Sequence, residues 1–135
     1  MINLNKMWMA DVIRKDERME IRKSFFGLQT KVFYRPTGSV IKLDALEFSP
    51  ANGAKLKNVL TEKGDKFHEA IMEFKGLGIV NGNYKLEMAV SSDGAFAALT
   101  LLQYRQLNYE PVTDVLFFDG GDAKSIHDVF FSPDI

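Results

Sequence analysis

The sequence predicts an α+β domain: a single-layer, largely antiparallel sheet of about six strands with helices packed on one face, in the order α-βββ-αα-βββ-α. Three observations carry this expectation. Between Tyr84 and Tyr109 two apolar-rich segments flank Asp93-Gly94, a residue pair that tolerates the positive φ of a tight reversal. Segments of strand character come in consecutive groups, one before and one after the middle of the chain. Segments with helical spacing open the chain, separate the two groups and close it.

In Tyr84 to Val90 the apolar Tyr84, Leu86, Met88 and Val90 alternate with Lys85, Glu87 and Ala89, the period of a strand with one buried face. Phe96, Ala98, Leu99, Leu101 and Leu102 put apolar atoms on both faces, as a central strand requires. The competing reading of 95–107 is a helix, because Ala, Leu, Gln and Arg are good helix formers and Asp93 is placed as an N-cap.

Leu4, Met7, Trp8 and Val12 stand at helical spacing at the start of the chain. From Met19 to Phe26 the period is two, with an apolar face interrupted at Lys23, and Gly27 breaks the run. A second strand follows over Thr30 to Arg35, then a turn at Pro36-Thr37-Gly38-Ser39. Val40 to Phe48 changes phase, since Ile41 and Leu43 share one face while Leu46 and Phe48 share the other. A bulge or bend near Asp44 and Ala45 is the expected cause.

Ser49-Pro50 starts a helix carrying Leu56, Val59 and Leu60, which Gly64 ends. Asp65 is placed to cap a second one, with Phe67, Ala70, Ile71 and Phe74 on one stripe and Gly76 as its stop. Leu77 to Val80 reads as a brief strand before the Asn81-Gly82-Asn83 turn. Val112 to Phe118 reads as a buried strand, and Asp122 as the cap of a closing helix with Ile126, Val129 and Phe130 inward.

A chain of 135 residues is expected to form a single globular domain over 1–135, and 46% hydrophobic residues with eleven Phe argue for a folded core. The formal charge is −1, so no global field holds nucleic acid or an anionic membrane. Cysteine is absent, which removes thiol catalysis and thiolate metal sites and fits a reducing, cytoplasmic setting. No signal peptide and no membrane span is expected, since no stretch approaches 18 apolar residues.

His68 and His127 are expected as partly exposed helix residues; a catalytic base needs an orienting neighbour, and spacing supplies none. Neither a metal nor another cofactor is implied, because a zinc site would need both histidines plus carboxylates from distant segments. Asp119-Gly120-Gly121-Asp122 follows a buried strand and has two readings. Carboxylates at a strand end suit a small-molecule, nucleotide-like site with His127; more simply, the glycines make a turn and Asp122 caps a helix.

Aromatics interleaved with arginine form the other candidate set. Phe33, Arg35, Tyr104, Arg105 and Tyr109 would anchor a protein partner if they shared an exposed sheet face or edge, with Trp8 as a further contact. The basic run Arg14, Lys15, Arg18, Arg22 and Lys23 is diluted by Asp16, Glu17 and Glu20 and reads as a solvated face.

These features favour a small, cytosolic, non-enzymatic binding protein that masks or inhibits a macromolecular partner, in the manner of immunity, chaperone or phage counter-defence proteins. Reduced to α-βββ-α-ββ-α, the element order resembles that of small dimeric type III secretion chaperones, with size and mild acidity as the further points in common. The alternative is a small-molecule binding or sequestering protein, or a hydrolase, using Asp119, Asp122 and His127. An exposed edge strand and a half-covered helix make a homodimer possible, and single-stranded nucleic acid ranks last among partners.

Overall fold

The computed structural model describes residues 7–23 and 30–131. Its elements are α1 (Met9–Lys15), β1 (Met19–Lys23), β2 (Thr30–Tyr34), β3 (Ser39–Phe48), α2 (Pro50–Glu62), α3 (Phe67–Met72), β4 (Tyr84–Ser91), β5 (Phe96–Arg105), β6 (Asn108–Pro111), β7 (Leu116–Asp119) and α4 (Gly121–Phe131). The strands form one curled antiparallel sheet in the order β1-β2-β3-β4-β5-β6, with β7 also paired to β5. The α+β class and the element order read from the sequence are those of the structure. The expectations that rest on Leu4 and on Ser24 to Gly27 lie outside the described residues.

The centre is the β4–β5 hairpin, in register from Tyr84↔Gln103 to Val90↔Ala97 and reversed at Gly94, whose φ is +73°. Residues 96–105 are strand, not helix, because β5 is paired along both edges and covered on both faces. Leu86, Met88, Val90, Leu99 and Leu101 point to one face, where α2, α3 and α4 lay down Leu56, Leu60, Ile71, Ile126, Val129 and Phe130. We call this the helical face.

The first helix departs from the one-sided arrangement. Met9, Ala10 and Ile13 of α1 pack against Met19, Val32, Ile41, Leu43, Ala89, Phe96 and Ala98 on the opposite face. Strand β4 is therefore buried on both sides, and Glu87, which the alternation placed toward water, has no exposed surface.

This two-sided cover also explains the phase change in β3. The β3–β4 register runs unbroken from Ile41↔Ser91 to Phe48↔Tyr84, so there is no bulge at Asp44 and Ala45. Ile41 and Leu43 face α1, whereas Leu46 and Phe48 face the other three helices. The cover changes sides along one regular strand.

Local chemistry matches expectation at Ser49, whose hydroxyl accepts the Asn52 N–H at 3.2 Å with Pro50 beginning the helix. Elsewhere it corrects it. Helix α2 ends before Gly64, on Lys63 in a left-handed conformation, and the N-cap of α3 is Lys66, not Asp65. Asp122 lies within the first turn of α4, where its charge suits the helix dipole. Leu77 to Val80 contributes a single bridge, Glu47↔Ile79, instead of a strand.

The expected strand over 112–118 is shortened to β7, because residues 112–115 are not strand and β6 ends before them. β6 pairs with the end of β5 and β7 with its start, while the chain between them leaves the ladder. There the Leu101 N–H donates to Thr113 Oγ1 at 3.1 Å and the Thr100 hydroxyl to the Thr113 carbonyl at 3.3 Å, replacing the missing ladder bonds.

Candidate partner-binding surface at the hairpin end

Strands β5 and β6 are joined through Gln106 and Leu107, with Arg105 opposite Asn108. Both linking residues have positive φ, 48° and 69°, as in a type I′ turn where Gly and Asn are usual. Leu107 is 88% exposed. A leucine in left-handed backbone at a solvent-facing tip gains nothing for the fold from its side chain.

The loop entering β4 reaches the same end of the sheet. The Tyr104 N–H donates to the Asn83 carbonyl at 2.8 Å, and the Tyr109 hydroxyl lies 3.3 Å from the Gly82 carbonyl. Gly82 is held so close to Phe48 that a Cβ would sit 2.3 Å from the Phe48 carbonyl oxygen, so only glycine fits. This pinned loop displays Ile79 and Val80, the latter 84% exposed. Tyr104, 42% exposed, packs edge-on against Tyr109 beside the hairpin tip. Exposed apolar residues are ordinary singly; here two almost bare aliphatic tips and an aromatic ring occupy one end of the sheet.

A chain of polar contacts underpins that end on the face opposite α2, α3 and α4, the face that α1 covers. The Tyr109 hydroxyl donates to Glu47 Oε1 at 3.0 Å, and Lys85 Nζ stands 4.3 Å above the Tyr109 ring. Lys85 Nζ is 3.3 Å from Glu87 Oε2, an ion pair outside hydrogen-bond geometry, while Glu87 Oε1 accepts the Met9 N–H at 2.8 Å. Burial, then the Glu47 contact, raises the Tyr109 pKa, so the phenol keeps the proton it donates.

The structure does not gather the predicted partner residues on one face. Tyr104, Arg105 and Tyr109 belong to the hairpin end, with Arg105 donating to Gln103 Oε1 at 2.8 and 3.1 Å. Phe33 and Arg35 lie near the opposite end of the sheet. There the Arg22 guanidinium covers the Phe33 ring at 4.3 Å, and Arg35 Nη1 lies 3.7 Å from Glu20 Oε2. Trp8 is half-buried against the α1 core. The basic run is also dispersed, since Arg18 pairs with Asp16 at 2.7 Å and stacks over Phe96 and Phe117.

Asp119, Asp122 and His127 likewise point to different partners. His127 Nε2 is 2.9 Å from Asp44 Oδ2, with its ring stacked on Phe131, and Asp122 Oδ1 is 3.7 Å from His68 Nε2. Asp119 is exposed at the end of β7, near the charge of Arg18. Of the three, Asp122 alone lines a cleft of about 350 Å³ between α3 and α4, with His68, Ser125, Ile71, Met72, Ile126 and Val129. Among the described residues no group of three or more His, Asp or Glu is arranged to hold a metal ion.

Sequence reasoning missed Val80, Leu107 and Glu87. For Val80 a signal existed: an apolar residue inside a run of turn formers, Gly78-Ile79-Val80-Asn81-Gly82, where turn chemistry asks for none; Leu107, within Tyr104-Arg105-Gln106-Leu107-Asn108-Tyr109, carries no such signal. For Glu87 there was none, because the helix that covers it comes from 78 positions away. No protein-family model, curated protein or solved structure matches this chain. No helix among the described residues is long and apolar enough to cross a membrane.

Proposed function

We propose that this chain is a non-enzymatic binding protein that masks a protein partner, in the manner of an immunity, chaperone or phage counter-defence protein, and that Val80, Tyr104 and Leu107 make the central contact. The observation that carries the reading is the exposure of Leu107 in a positive-φ turn next to Tyr104, at the sheet end where the loop entering β4 exposes Val80. Aliphatic and aromatic side chains held on a rigid, hydrogen-bonded end bind with little loss of conformational freedom and form the dry centre of an interface. Arg105 supplies a polar rim. Native mass spectrometry of protein isolated gently from its own host tests this directly: a stoichiometric protein partner is expected, and a retained small molecule in its place contradicts the reading.

The α3–α4 cleft supports a second reading. Its apolar floor of Ile71, Ile126 and Val129 and polar rim of His68, Asp122 and Ser125 suit a small amphipathic, nucleotide-like ligand. Asp122→Asn should then weaken binding of nucleosides or nucleotides, measured by calorimetry, while the melting temperature hardly moves. Unchanged binding of such ligands, or none, removes this reading.

A further inference from the structure

Strand β1 forms one edge of the sheet, and among the described residues no strand pairs with its outer side. The Arg35 N–H donates to the Arg18 carbonyl at 2.8 Å, so residues 18, 20 and 22 turn their main-chain groups inward to β2. By the same alternation Ile21 and Lys23 present theirs outward, as does the Met19 carbonyl, the Met19 N–H being taken by the Asp16 carbonyl at 3.1 Å. Three antiparallel registers would pair these outward groups with those of a second β1 over three residues or more. One sets Glu20 against Glu20 of the other copy and one sets Arg22 against Arg22, both repulsive. The third centres on Ile21 and sets Glu20 of each copy against Arg22 of the other, with Met19 against Lys23.

We infer that β1 is a homodimerisation edge, paired antiparallel to β1 of a second copy about a two-fold axis at Ile21. The charge pattern of the strand is complementary to itself in this one register. Glu20 and Arg22 already form a pair within the strand, Arg22 Nε to Glu20 Oε1 at 3.0 Å, so the second copy closes a four-charge ladder on the helical face. On the other face Ile21, partly buried against the α1 core, meets its symmetry mate and extends that core across the edge.

A two-fold axis perpendicular to the sheet keeps the helical faces of both copies on the same side. The exposed Lys31, Arg35, Val40 and Lys42 of each copy, on β2 and β3 and the turn between them, then stand on that shared side, separated from those of the other copy by the two paired β1 strands. A single-stranded nucleic acid is the less suited occupant of this corner, because Arg22 already covers the Phe33 ring that a base would need. The inference is independent of the reading of the hairpin end, which lies away from β1.

The absence of cysteine makes the register testable. In a hydrogen-bonded antiparallel pair the Cα atoms lie about 5.5 Å apart, within disulfide reach, whereas residues 20 or 22 and their own mates lie beyond the about 7 Å limit. Ile21→Cys should oxidise to a covalent dimer, while Glu20→Cys and Arg22→Cys should not. In sedimentation velocity, Glu20→Arg or Arg22→Glu should each raise the dimer dissociation constant by roughly tenfold or more, and the double reversal should restore dimerisation. Circular dichroism melts confirm that each variant folds. A wild-type monomer at all concentrations, cross-linking that does not distinguish residue 21, or dimerisation indifferent to charge reversal would each overturn the inference.

Discussion

Glu87 Oε1 accepts the main-chain N–H of Met9 at 2.8 Å, joining the middle of the central hairpin to the first turn of α1. The N-cap position, Trp8, supplies no side-chain acceptor, so a carboxylate from the sheet takes that role. A seven-residue helix does not persist alone in water; α1 exists because Met9, Ala10 and Ile13 are buried and its first amide is satisfied. Glu87→Ala should therefore cost roughly 3 kcal/mol, because it leaves both the Met9 amide and the Lys85 ammonium without their buried partner. Urea unfolding measures the loss, and hydrogen exchange at Met9 should rise before that of β4 and β5. Glu87→Gln keeps the acceptor and should cost less.

Gly53 lies within α2 with Tyr84 directly beneath it. In an ordinary helix interior Gly→Ala stabilises by about 1 kcal/mol. Here the added Cβ would stand 2.0 Å from Tyr84 Cδ2, in a ring buried in the main core, so Gly53→Ala should destabilise by about 1–3 kcal/mol. Thermal unfolding reads the sign directly. A gain in stability would show that α2 can shift away from Tyr84.

The turn of the central hairpin carries a pH-dependent element. The Thr37 hydroxyl, then Ser91 and the Ala95 N–H, hold the Asp93 carboxyl at about 2, below its ordinary 3.8. A depressed folded-state pKa gives stability that is fully present above the unfolded value and lost as pH falls through the folded one. The stability gap between wild type and Asp93→Asn should accordingly be constant above about pH 5 and shrink between about pH 4 and pH 2. Melting curves across that range measure it.

The β5–β6 turn should be improvable at the expense of binding. Replacing Gln106 and Leu107 by Asn and Gly, the residues a type I′ turn prefers, should stabilise the fold by about 1 kcal/mol or more, since both positions have positive φ. The same change removes Leu107 and should abolish partner capture. A gain in stability with undiminished capture would assign the strained leucine no role in recognition.

The sequence made the hairpin legible because Asp93-Gly94 and the two-sided apolar pattern of residues 96–102 agree on one answer. Strand β3 shows where one-dimensional reading stops. Its change of phase is real, yet it records a change in which helices cover the strand, information held in α1 and α4 and absent from β3 itself. Alternation around Glu87 misled for the same reason. Gly64 and Asp65 are the residues that signal helix ends here, whereas the backbone uses Lys63 and Lys66, which carry no capping signal.

The candidate site was half legible. Tyr104 and Arg105 stand out by residue type, since aromatics and arginine dominate interfaces, and both belong to the proposed surface. Phe33 and Arg35 match them in residue type, but the order of strands across a sheet is not written in spacing, and β3 and β4 separate the two pairs. The dyad of His127 with Asp44 depends on α4 crossing β3, a contact 83 positions apart in sequence.

The most direct test of the proposed function compares capture by three proteins in extracts of the native host, with the bound species identified by mass. Wild type is expected to retain one stoichiometric protein partner. A variant carrying Val80→Asn and Leu107→Asn should lose it, because both tips become polar while no buried contact changes. A variant with His68→Ala and Met72→Ser in the α3–α4 cleft should keep it. Loss of the partner from the cleft variant, or its full retention by the tip variant, would contradict the account.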